Sequence, residues 1–119
     1  MKIKWADVIL FCNILEEEFE LLSTPRIIIK KQITYFGCEV YGMYQGYLKT
    51  KGFKHKIWLD EGVIENKLQL FATLAHEYVH AWQTENVLKL THGKKNQFLE
   101  WNEYFLSKYK IDLIGMNTK

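Results

Sequence analysis

The chain has one proline, Pro25, and two cysteines, Cys12 and Cys38. No Cys-x-x-Cys pair is present, which argues against a zinc ribbon and against a disulfide framework. Both cysteines are expected to be buried thiols in a reducing compartment. There is no apolar run of transmembrane length. The start, Met1-Lys2-Ile3-Lys4-Trp5, leads into a segment broken by Asp7 and Asn13, which does not read as a secretory leader. The expected location is therefore cytoplasmic, with no membrane partner. Internal repeats, linkers and low-complexity stretches are also lacking. The net charge is only +2, too little to declare a nucleic-acid binder by itself.

What is present suits one globular domain. The length of 119 residues can bury a core without staples. Hydrophobic residues make up 48% and charged residues 25%, while aromatics reach 15%, so large rings are expected to fill a thin core. Charge is unevenly placed. Between Arg26 and Lys56 stand seven basic residues (Arg26, Lys30, Lys31, Lys49, Lys51, Lys54 and Lys56) and a single acid, Glu39, for a net +6. This pattern reads either as solvated strand edges and loops or as a basic face for a polyanion such as DNA. Acids gather instead at Glu16, Glu17, Glu18 and Glu20.

Taken in order, Trp5, Val8, Ile9, Cys12, Leu15, Phe19 and Leu22 recur at helical steps, predicting a helix from Lys4 to Leu22. Ser23-Thr24-Pro25 ends it. A strand is expected from Arg26 to Tyr35, a turn at Phe36-Gly37-Cys38, and a second strand from Glu39 to Leu48, where Gly42 and Gly46 mark a bulge or close backbone approach. A basic loop, Lys49 to Lys54, leads to a third strand, His55 to Leu59, with Ile57 and Leu59 on one face. Short connections suggest an antiparallel sheet. Helical periodicity resumes from Ile64 to Asn86 and from Lys94 to Lys110, and residues 111–119 read as a tail. The expected class is α+β: a helix, a small three-stranded antiparallel sheet, then two helices.

The second helix carries His76-Glu77-x-x-His80. Residues four apart share a helix face, so both rings can address one ion. Zinc suits two imidazoles plus a third protein ligand, with one position left for water that Glu77 can deprotonate. His92, in Thr91-His92-Gly93, is the leading third ligand because glycine permits a tight turn back toward the helix. Glu100, twenty positions after His80, is the alternative; Glu85 and Glu103 are expected to be solvated. His55 has no partner at ligand spacing and reads as a surface or strand-end residue. Tyr44, Tyr47 and Tyr78 are expected to be packing or surface rings, and Trp82 and Trp101 to be contacts between the last two helices.

The pattern His76-Glu77-x-x-His80 followed by Thr91-His92-Gly93, Phe98 and Trp101 resembles the SprT-like zinc metalloproteases. The order of helix, small sheet and metal-bearing helix is also similar. The resemblance implies a minimal zincin-like domain spanning residues 1–119. It implies a zinc-dependent endopeptidase with His76, His80 and His92 as ligands and Glu77 as general acid/base, acting on protein or peptide substrates. Some members cleave proteins near DNA. Many carry a further DNA-binding module, so any DNA contact here would fall to the Arg26–Lys56 face or to another protein. So compact a version would suit a phage or mobile element. Should the His55–Leu59 strand lie at a sheet edge, extended substrate could pair with it. The competing function is a nucleic-acid-associated binding protein with a structural or non-catalytic zinc.

Overall fold

The computed structural model describes residues 2–35, 37–49, 52–87 and 97–114. Helix α1 (Trp5–Phe19) turns Val8, Leu15 and Phe19 inward. It stops three residues before the expected end, where Glu20 adopts a left-handed φ of 49° and returns its N–H to Glu16. Trp5 and Ile9 lie on the predicted apolar stripe yet remain exposed.

The predicted Arg26–Tyr35 strand is two elements. Strand β1 (Arg26–Lys30) ends first, and β2 (Thr34–Tyr35) then pairs antiparallel with β3 (Cys38–Glu39) across a turn where Gly37 takes φ 79°. Asp60 accounts for the break. Its buried carboxylate accepts the Ile33 N–H at 2.7 Å and so pulls the chain out of the strand. It also accepts the Gly62 and Val63 N–H groups, which organises the exit from the sheet.

Strand β4 (Gly42–Lys49) pairs antiparallel with β5 (Gly52–Asp60). Of the stretch read as a basic loop, Lys49 belongs to β4 and Gly52, Phe53 and Lys54 belong to β5. The sheet order is β1-β5-β4, and β1 pairs parallel with β5. The sheet is therefore mixed, not antiparallel, and the His55–Leu59 stretch lies in its centre, not at its edge. Short connections misled here because β2, β3 and Tyr41 carry the chain past β1 before β4 begins. The Glu61 N–H to Lys30 carbonyl bond and the Asp60 N–H to Tyr41 carbonyl bond, both 2.8 Å, fix that return. Register then sets Ile27 beside Ile57 and Ile29 beside Leu59, making one apolar face.

Helix α2 (Lys67–Asn86) covers that face. Its start is set by Asn66, whose side chain accepts the Gln69 N–H, while Gln69 Oε1 accepts the Glu65 N–H. This reciprocal capping places the start three residues later than the periodicity suggested. From Leu70 to Ala81 every residue is buried, as befits a helix enclosed on several sides. The sheet lies on one side of it and α1 packs against it, while α3 (Phe98–Tyr109) meets it through ring contacts such as Phe71–Phe105 and Trp82–Trp101. Aromatic rings join these helices: Phe19 to Trp101 at 4.2 Å, Phe11 to Phe71 at 5.1 Å and Trp82 to Trp101 at 5.6 Å between centroids. The last pair is the expected contact between the final helices. Each fully buried large side chain contributes about 2 kcal/mol through burial. Among the described residues, no helix is long and apolar enough to cross a membrane.

Candidate metal centre

The centre is built on the enclosed part of α2. His76, Glu77 and His80 are all buried, and one potential ligand atom from each lies within 4.8 Å of the others. The two imidazole centroids are 5.0 Å apart. Phe98 at the start of α3 stands 4.9 Å from the His76 ring and 5.4 Å from the His80 ring, centroid to centroid. This fully buried ring fixes where the imidazoles can go and limits water on that side.

Both histidines have an oxygen acceptor at Nδ1. His76 Nδ1 donates to the Leu113 carbonyl at 2.6 Å, and His80 Nδ1 donates to Gln83 Oε1 at 2.9 Å. A carbonyl oxygen can only accept, so the ring proton sits on Nδ1 and the lone pair sits on Nε2, the atom through which such a ring ligates. Histidines that hold metals are commonly oriented in this way. A borderline-soft divalent ion such as zinc therefore fits this donor set.

Glu77 approaches β4 at Gly42. A Cβ on Gly42 would stand 2.7 Å from Thr73 Cγ2, 2.9 Å from the Trp58 carbonyl and 3.4 Å from Glu77 Oε2. The expected close backbone approach is thus real at this glycine. It allows the edge strand β4 to lie against the acidic member of the centre. Gly46 serves the neighbouring ring, since a Cβ there would collide with the Tyr44 hydroxyl.

Other candidates fall elsewhere. His92 lies outside the described residues. Glu100 and Glu103 are exposed on α3, and neither belongs to the cluster around His76 and His80. Glu85 is not simply solvated, and His55 is not a surface residue. His55 is buried, with Nε2 at 2.6 Å from Glu85 Oε2 and Nδ1 at 2.6 Å from the Tyr44 hydroxyl. Glu85 also accepts the Leu22 and Ser23 N–H groups. Tyr44 donates to Thr84 Oγ1, and Thr84 donates in turn to the His80 carbonyl. Burial pushes the Tyr44 phenol up to about 12, with Thr84 pulling it down and Glu85 adding to the rise. This ladder ties the sheet to the His80 turn of α2. Alternation already contained the signal: a strand that turns Ile57 and Leu59 inward also turns His55 inward. Gln83, three residues after His80 on the same helix, was likewise within reach of spacing, whereas the Leu113 carbonyl, 37 residues after His76, had no such signal.

The Arg26–Lys56 basic residues are partly gathered by the sheet. Register places Arg26 beside Lys56, Lys54 beside Tyr47, and Trp58 between Ile28 and Met43 on the face away from α2. A cleft of about 550 Å³ at one end is lined by Arg26, Lys54 and Lys56 together with Ser23, Thr24, Tyr47, Phe53 and His55. The side chains of Lys49 and Lys51 lie outside the described residues.

Compared with protein-family models, curated proteins and solved structures, the chain has no match. The fold and site thus define, by their own geometry, an α+β domain with a buried His-Glu-His cluster on its central helix.

Proposed function

We propose that this chain is a zinc-dependent metallopeptidase that hydrolyses protein or peptide substrates, with His76, His80 and His92 holding the ion and Glu77 as general acid/base. The observation that carries the reading is the paired Nδ1-to-carbonyl orientation of two buried histidines flanking a buried glutamate. When bound, the ion supplies Lewis acidity toward water and toward the carbonyl oxygen. Glu77 takes the proton from the attacking water as the carbon–oxygen bond forms. It delivers that proton to the amine nitrogen as the carbon–nitrogen bond breaks. Burial of the cluster by Phe98 and β4 keeps these charges in a low-dielectric setting, where they act more strongly.

The substrate strand is best assigned to β4. It has one sheet neighbour among the described residues, and its Gly42 end touches the neighbourhood of Glu77. An extended segment pairing with that edge would bring its backbone beside the acid/base with little demand on side-chain identity. The free thiol of Cys12 is in keeping with a reducing, cytoplasmic setting.

The test combines metal content with turnover. Wild-type protein should bind about one zinc per chain and cleave an unfolded protein substrate. Glu77→Gln should keep the zinc and lose cleavage by a factor of about 100 or more. Protein without bound zinc, or a Glu77→Gln variant with full activity, would reject the reading.

A second reading, a nucleic-acid-associated protein with a non-catalytic zinc, draws on the sheet's outer face. Arg26 beside Lys56 is a like-charge neighbour pair of the kind that weakens a sheet. A polyanion such as DNA would relieve that repulsion. The expected outcome is DNA binding that weakens steeply with added salt, with a smaller salt slope in a Lys54→Glu/Lys56→Glu double variant. Binding insensitive to salt would reject the DNA contact, and zinc-loaded wild type that cleaves no unfolded substrate would favour a non-catalytic centre.

A further inference from the structure

We infer that Asn102 and the segment Ile111–Leu113 form a positioning strap for His76, holding it in the Nδ1–H tautomer that points Nε2 at a metal; this rests on the metal reading above. The two histidines reach the same orientation by different routes. The acceptor for His80 is Gln83, three residues on in the same helix, so it comes with the helix itself. The acceptor for His76 is the Leu113 carbonyl, 37 residues downstream. It has to be brought there and held.

The chain after α3 does this in three steps. Lys110 takes a left-handed φ of 60° and reverses the chain, returning its N–H to Leu106 while the Ile111 N–H returns to Phe105. Ile111 and Leu113 then enter the core, while Asp112 between them faces out and accepts the Ile114 N–H. Asn102 closes the arrangement. Its Oδ1 accepts the Leu113 N–H at 2.6 Å in a buried setting. One peptide residue thus has its N–H held by α3 and its carbonyl held by the metal-site helix. Asn102 on α3 and His76 on α2 are joined through Leu113, with no direct contact required.

This makes Asn102 a positioning residue. Removing its acceptor leaves the Leu113 N–H buried without that partner, which favours a shift of the strap and loss of the short bond to His76. Without that bond, the Leu113 carbonyl no longer selects the Nδ1–H tautomer, the one that ligates through Nε2.

Two measurements on full-length protein test the inference. Nitrogen-15 correlation spectra of the metal-free chain should show His76 as a single Nδ1–H tautomer in wild type and in Asn102→Asp, which retains an acceptor. Asn102→Leu should show a tautomer mixture. Zinc competition with a chelator should give Asn102→Leu an affinity about 10- to 100-fold below wild type, with Asn102→Asp close to wild type. An unchanged His76 tautomer in Asn102→Leu, or wild-type zinc affinity there, overturns the inference. If Asn102→Leu does not fold, Asn102→Asp decides: a mixed tautomer in that variant overturns it, and a single Nδ1–H tautomer supports it. Should wild type bind no zinc, the metal reading falls, while the tautomer spectra still decide the strap.

Discussion

Glu16 shows how a single residue can be placed correctly on a helix and still carry the wrong environment. Glu17 and Glu20 do face the wet side of α1, but Glu18 is largely covered and paired with Lys108, and Glu16 lies against Tyr78 and Cys12. Burial holds its carboxyl above the usual range, while the Tyr78 hydroxyl pulls it partway back. Burial likewise raises the Tyr78 phenol and the Cys12 thiol, so both stay protonated at neutral pH. The sign for stability follows directly. An acid with a raised folded pKa binds its proton more tightly in the native state than in the unfolded chain. Stability from this group is present at low pH and is lost as pH rises above about 4.5 through the folded value. Glu16→Gln keeps an oxygen acceptor and removes the charge. Its denaturation midpoint should exceed wild type at neutral pH, with a shallower fall as pH rises above about 4.5. Parallel pH profiles for the two proteins would show that Glu16 does not titrate in this way.

At the scale of elements, the contact between β4 and α2 depends on Gly42. The contacts a methyl group would make there, below 3.0 Å to Thr73 and to the Trp58 carbonyl, force one of the elements to move. Gly42→Ala should cost about 1–3 kcal/mol, the range for overpacking a tight interface. Because Glu77 lies next in that gap, turnover should fall while zinc content is retained. Denaturant unfolding and metal analysis check the two parts, and a fully stable, fully active Gly42→Ala would contradict the packing described. The same scale explains which elements could be read in advance. All three helices were legible because their periodicity and stops are local, though the Asn66-x-x-Gln69 capping pair was a readable start signal that periodicity alone overlooked. The three main strands were legible as segments, but their bounds were not: the Arg26–Tyr35 stretch splits into β1 and β2, and β5 starts at Gly52 inside the expected loop. Strand order was not legible, because the parallel pairing of β1 with β5 depends on Asp60 capturing Ile33 and on a return path through β2 and β3.

For the molecule as a whole, the proposed ion would add to the core packing and the hydrogen bonds that already surround its site. His76 and His80 come from α2, Phe98 packs on both from α3, and the Leu113 carbonyl comes from the chain beyond α3. A ligand that binds only the folded state stabilises it by mass action, by about 2.7 kcal/mol at a hundredfold excess over Kd. Chelation of zinc-loaded protein should therefore lower Tm by roughly 10 °C for a chain of this size. Restoring zinc should restore Tm, and His76→Ala should remove the difference between the two conditions. Equal Tm with and without chelator in wild type would argue against a site of useful affinity.

The sequence alone determined the α+β class and the helical setting of His76-Glu77-x-x-His80, and it marked Gly42 as a bulge or close approach and Trp82 and Trp101 as contacts between the last helices. The class and the helical setting follow from periodicity within short stretches, where one residue constrains the next through the backbone; for Gly42 and the two tryptophans the residue type was a signal, while the structure supplied the partners. Tertiary structure decided the mixed sheet, the central position of β5, and the burial of His55 against Glu85. It also decided which oxygen orients His76. Those features join residues 27 to 37 positions apart or more. Their partners are selected by long-range hydrogen bonding and by closure of a shared core, and no local pattern reports such pairings.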